Sequence, residues 1–164
     1  MSYFLSPSSV QLEQALESWQ WLPLAGKKPI LVTAFADVFL LNEEGVWLLD
    51  SLEGRLKRAF TTREELQQAL STQEGQDHYL FSPFVDRAIR EDGALAEAQC
   101  LDFKIHPVMG GSVAYENVER RDFAVALNIR GQIHDQVRHL KPGTKISGVK
   151  MSESKTSKPW WKVW

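Results

Sequence analysis

Between Ile30 and Phe60 the chain sets down four short apolar or aromatic runs, at 30–35, 38–41, 46–49 and 56–60, with turn formers between them. Asn42-Glu43-Glu44-Gly45 and Ser51-Leu52-Glu53-Gly54 each end a tight connection on glycine, where a positive φ costs little. Short runs joined by turns of this kind predict an antiparallel meander. The spacing leaves Ala36-Asp37 open, as a turn or as a bulge inside one longer strand.

Helical signals flank the meander. Ser8 and Gln11 have capping-box spacing, and Leu12, Ala15, Leu16 and Trp19 then recur at helical intervals, predicting a first helix that ends near Trp21. Thr62 and Glu65 repeat the box and open a helix through Leu66, Ala69 and Leu70 that stops near Ser71, after which 72–77 reads as a polar loop. Ser82-Pro83 reads as an N-cap followed by proline at the first helical position, with Phe84, Val85, Ala88 and Ile89 as the buried stripe of a helix ending at Gly93. A strand is expected across 101–108. Residues 122–140 alternate like a strand at first, but Phe123, Ala126, Leu127, Ile133, Val137 and Leu140 follow a helical face more closely, so a helix weakened at Gly131 is expected. Pro142-Gly143 ends it, and 145–150 reads as a last strand.

The expected fold is therefore α+β, an antiparallel β-meander sheet packed with about four helices in a single compact domain over residues 1–150. Residues 151–164 form a Ser/Lys-rich linker and a tryptophan-rich C-terminal tail. A chain of 164 residues, 43% hydrophobic and 24% charged, can bury a continuous core without staples. Its net charge of −2 supplies no global positive field, so neither nucleic acid nor a membrane is an expected partner. The basic clusters are Arg55-Lys57-Arg58 and Arg120-Arg121, and the first is dispersed over both faces of a predicted strand. Cys100, the single cysteine, is expected as a small buried hydrophobe in a reducing compartment. The start, Met1 to Pro7, lacks the regions of a signal peptide, and a cytoplasmic location is expected.

Residues that could carry chemistry are sparse. The Gly110-Gly111 pair lacks the Walker lysine and the spacing of a dinucleotide loop, and reads as a backbone turn, with Glu116-Asn117 as a turn device beyond it. His78, His106, His134 and His139 form no metal-ligand spacing, so no metal and no cofactor are expected. No nucleophile elbow exists, and Glu43-Glu44, Glu64-Glu65 and Glu91-Asp92 read as solvated charges at turns and helix ends, which leaves no catalytic residue assigned. At the far end, Pro159-Trp160-Trp161-Lys162-Val163-Trp164 is costly to leave in water. Trp160, Trp161 and Trp164 are expected to dock on this domain, to join copies into a homo-oligomer, or to bind a partner.

Several ordered motifs carry a family resemblance. They are Phe35-Ala36-Asp37-Val38-Phe39-Leu40, Leu49-Asp50-Ser51-Leu52-Glu53-Gly54, Gly110-Gly111, Glu116-Asn117, Gly131-Gln132-Ile133-His134 and Pro142-Gly143-Thr144-Lys145-Ile146-Ser147. Together they resemble the bacterial family named for the C-terminal domain of a type VI secretion DNase-immunity protein. That family commonly carries the domain behind a second, N-terminal one; here a short helical lead precedes it, and the tryptophan tail has no counterpart in the pattern. The resemblance implies a non-enzymatic cytoplasmic protein that binds and blocks a cognate effector toxin. It makes Gly110, Gly111, Glu116, Asn117, Gly131, Gln132 and His134 a family signature, read as structural. The other class is a small-ligand-binding protein or enzyme with a site near Gly110–Asn117 and Gln132/His134. A deep polar pocket converging on Gln132 and a perturbed His134 favours that class, whereas a closed core with a broad exposed face favours the binding module.

Overall fold

Alternation along the strands decides the architecture. In the computed structural model, which describes residues 2–152, β1 (Phe4–Leu5), β2 (Lys28–Thr33), β3 (Val38–Asn42), β4 (Gly45–Asp50) and β5 (Arg55–Phe60) form one antiparallel sheet in chain order. The cross-strand pairs Val38–Leu49 and Leu40–Trp47 share one face, and Phe39–Leu48 and Leu41–Val46 share the other. Both faces are apolar, so both need cover.

The first face packs against α1 (Ser9–Leu16), the 3-10 turn Glu17–Trp19 and α5 (Phe123–Val137), which bury Leu16, Trp19, Phe123 and Leu127. The second face takes Leu66 and Leu70 of α2 (Arg63–Leu70) and Tyr79 of α3 (Gln73–Leu80). A two-stranded antiparallel ribbon, β6 (Gln99–Phe103) with β7 (Val118–Asp122), joins α4 (Ser82–Asp92) in a third cluster around Phe35, Val85, Leu101 and Phe103. The result is a single α+β domain. Cys100 lies fully buried in it, its thiol pushed up to about 12 by burial. No helix among the described residues is long and apolar enough to cross a membrane.

The meander matches its expected strands, and Ala36-Asp37 is a turn: Ala36 takes φ 65, and Thr33 N–H donates to the Asp37 carbonyl at 2.9 Å. Elsewhere the structure departs from expectation. The first helix stops at Leu16 and tightens into the 3-10 turn, whose Trp19 indole donates to the Leu127 carbonyl at 2.8 Å. Residues 72–77, expected as a loop, are the cap and first turns of α3, a helix beyond the four expected; Thr72 caps it by accepting from Gly75 N–H. Ser82 is not an N-cap, because Phe81 holds that position in the left-handed region at φ 51. The Ser82 hydroxyl instead bonds Asp77 of α3. The strand expected across 101–108 ends at Phe103, and Pro107 opens a 3-10 turn.

The expected last strand across 145–150 has no regular structure. Its end is held by glutamine side chains of α5. Gln136 exchanges two hydrogen bonds with the Lys150 backbone, at 2.6 and 2.8 Å, and Gln132 two with the Ser152 backbone, at 2.9 and 2.6 Å. Trp160, Trp161 and Trp164 lie outside the described residues.

Candidate functional site

Phe35, Ser51, Leu101 and Asp102 surround a buried arginine that the helical pattern does not announce. Arg130 sits on the buried side of α5 between Leu127 and His134, with 2% of its surface exposed. Its guanidinium donates to Asp102 Oδ1 through Nε and Nη2 at 3.0 and 2.8 Å, and through Nη2 to the Leu101 carbonyl at 3.1 Å. Nη1 donates to the Phe35 carbonyl at 2.5 Å and to Ser51 Oγ at 2.6 Å. Ser51 passes the contact on, because its N–H and hydroxyl both donate to Asp37 Oδ1, at 2.8 and 2.7 Å. One side chain thus ties α5 to β6 and to two turns of the meander, β2–β3 and β4–β5. Burial works against its charge, and Asp102, Cys100 and Asp37 outweigh it, keeping Arg130 cationic.

Two buried histidines complete this centre. His134 approaches the Ser51 carbonyl through Nε2 at 3.1 Å, and its ring lies 5.0 Å from that of His106 and 5.7 Å from that of Trp19. Burial, then the nearby Arg130 and His134, holds His106 down to about 4, and burial lowers His134 as well. Both are therefore neutral at pH 7. His106 accepts from Val108 N–H at Nδ1, while its Nε2 is buried with no hydrogen-bond partner among the described residues.

The Gly110–Asn117 segment is a braced turn. Gly110 adopts φ +92, and a Cβ on Gly111 would overlap the Ile105 carbonyl oxygen, so each glycine is demanded by backbone geometry. The Asn117 side chain accepts from Ile105 N–H at 3.0 Å and donates to the carbonyls of Ile105 and Ser112 at 2.7 and 2.9 Å. Glu116 is exposed, its carboxylate 3.8 Å from Arg87, while its carbonyl accepts from Lys104 Nζ at 2.9 Å. The same logic governs Gly131, where a Cβ would overlap Ser18 Oγ. The missing side chain lets the turn after α1 approach α5, and helix weakening is secondary to that.

Gln132 and His134 do not converge. His134 faces the core, whereas Gln132 bonds Asn128 Oδ1 at 2.7 Å and grips Ser152 beside an open surface groove. His78 and His139 are exposed and apart from the pair. Among the described residues no three His, Cys, Asp or Glu side chains gather as a metal-ligand set. Arg130 and Asp102 escaped the sequence reading. The available signal was a charged residue on an otherwise apolar helical stripe, which a buried partner must compensate.

These features define a class, an α+β domain with a closed, arginine-clamped core and a braced external loop. No protein-family model matches the sequence, and no curated protein matches it. Among solved structures, the chain is similar to the crystal structure of Atu4351 from Agrobacterium tumefaciens, with a TM-score of 0.50 and 20% identity, covering 79% of this chain and 65% of that one. The chain thus spans just under two thirds of that structure's length, and at this identity the likeness concerns the fold.

Proposed function

We propose that this chain is a non-enzymatic, cytoplasmic protein-binding module, an immunity protein that neutralises a co-encoded type VI secretion effector toxin, such as a nuclease, by direct binding. The observation that carries the reading is the loop between β6 and β7. Asn117 and His106 hold its backbone from within, while Ile105, Val108 and Val113 are 58%, 38% and 54% exposed. A preorganised loop gives up little conformational entropy on association, and exposed apolar side chains on it suit the buried centre of an interface. Inhibition then needs coverage of the toxin's active surface and no chemistry from this chain.

The motif resemblance in the sequence supports the same reading. A pocket shared by Gln132 and His134 would have favoured the ligand-binding alternative, and their divergence weighs against it. The test is co-expression with the product of the neighbouring gene. Rescue of growth by the wild-type chain, and its loss in a folded Ile105→Asp/Val113→Asp variant, is the expected result. Toxicity unrelieved by the wild-type chain removes the assignment.

A further inference from the structure

A cavity of about 430 Å³ opens between the meander turns and α3. Its volume falls within the range of about 300–1,000 Å³ typical of small-ligand sites. Asp37 lines it and is 5% exposed; both hydrogen bonds from Ser51 end on Oδ1, and no described residue donates to Oδ2. Asp50, Glu53 and Asp77 add three more carboxylates to the lining.

The fixed positive charges nearby are largely committed. Lys57 lies 3.6 Å from Asp50, and Arg130 pairs with Asp102, with the Ser51 hydroxyl bridging it to Asp37, on which its charge also acts. Asp77 is oriented through Oδ1 by Ser82 and by Gln73, the latter at 2.7 Å. The remaining walls are Leu48, Leu52, Tyr79 and Phe81, together with the imidazole of His78. Carboxylate acceptors beside aromatic faces in a recessed site suit a planar organic cation, which takes paired hydrogen bonds on its edge and ring contact on its face.

We propose that this cavity is a recognition site for a guanidinium group, supplied by an arginine side chain of the protein partner that the preceding subsection infers. The source of the group rests on that reading; the chemistry of the cavity does not. A buried arginine anchored in such a recess is the kind of contact that dominates interface affinity. The apolar loop and the acidic cavity would then act as two separate holds on one partner.

The test titrates the isotope-labelled full chain with N-acetyl-arginine amide while backbone amide resonances are followed, with N-acetyl-citrulline amide as the uncharged control of similar shape. Saturable shifts at residues 37, 50–53 and 77–81 with the arginine probe, absent with citrulline, are expected. Binding should weaken about five-fold or more in Asp37→Asn and in Asp77→Asn. Asp77 is exposed, so its variant removes charge without entering the core. No saturable shift at the cavity, an equal response to citrulline, or undiminished binding in either variant that stays folded overturns the proposal. Probe binding without toxin rescue would remove the immunity reading alone, and rescue without probe binding would remove this one alone.

Discussion

Replacing Arg130 with methionine keeps much of the side chain's length and removes all of its charge. In the wild-type chain the guanidinium makes two hydrogen bonds to Asp102 and one each to Leu101, Phe35 and Ser51, from a position 2% exposed. Among the described residues, the variant leaves Asp102 in the core with the Phe103 N–H at 2.8 Å and Arg121 at 3.5 Å. Removing one partner of a buried pair costs about 3–5 kcal/mol. Arg121 lies 30% exposed and compensates in part, which favours the lower end. Against a total stability of roughly 5–15 kcal/mol, a loss of ~3 kcal/mol is large. With a urea slope of about 1–3 kcal/mol per molar, it moves the midpoint down by roughly 1–3 M. The double variant Arg130→Met/Asp102→Leu should recover part of the loss, because an apolar pair can replace a buried ion pair at small cost. Equilibrium urea unfolding at pH 7, followed by tryptophan fluorescence, reads both numbers. A loss below about 1 kcal/mol in Arg130→Met would refute the view that this residue clamps the core.

Asp37 is pushed up from 3.8 to about 6 by burial and by Asp50, so its ionisation costs stability that is spent above pH 6 and recovered as the pH falls towards 4. Asp37→Asn should therefore unfold at higher urea than the wild type at pH 7, by an amount on the order of 1–3 kcal/mol, and the two should converge near pH 4. His106 acts with the opposite sign: held from 6.5 down to about 4, it favours unfolding as the pH falls through that window, so His106→Leu should flatten the acid limb of the wild-type profile. Gly131→Ala should cost about 1–3 kcal/mol by pressing a methyl group against Ser18, measured by thermal or urea unfolding. Asn117→Ala removes three loop contacts and should speed hydrogen exchange at residues 105–113 while leaving the meander amides protected.

The meander was legible because its signals are local: alternating apolar residues and glycine at fixed turn offsets. The same holds for α4 and α5, whose apolar stripes are long enough to set a period. α3 was not legible, because Gly75 and Leu80 are its only buried residues and the rest of the segment is polar. β7 was missed for a related reason: Val118–Asp122 is mostly charged, and its pairing with β6 comes from tertiary position. The demands on Gly111 and Gly131 come from distant atoms, the Ile105 carbonyl and Ser18, which no local spacing announces. The Arg130 centre joins residues 37, 51, 102, 106, 130 and 134, and no spacing rule connects such a set. The acidic cavity is equally non-local, with Asp37 and Asp50 from the meander and Asp77 from α3.

The most direct test of the central claim is the affinity of the purified chain for the catalytically inactivated product of the neighbouring gene, measured by titration calorimetry. A one-to-one complex is expected, with affinity lost in large part when Ile105 and Val113 become aspartate. The Asn117→Ala variant should bind more weakly because its loop is no longer preorganised. The absence of any complex with the folded wild-type chain would contradict the account.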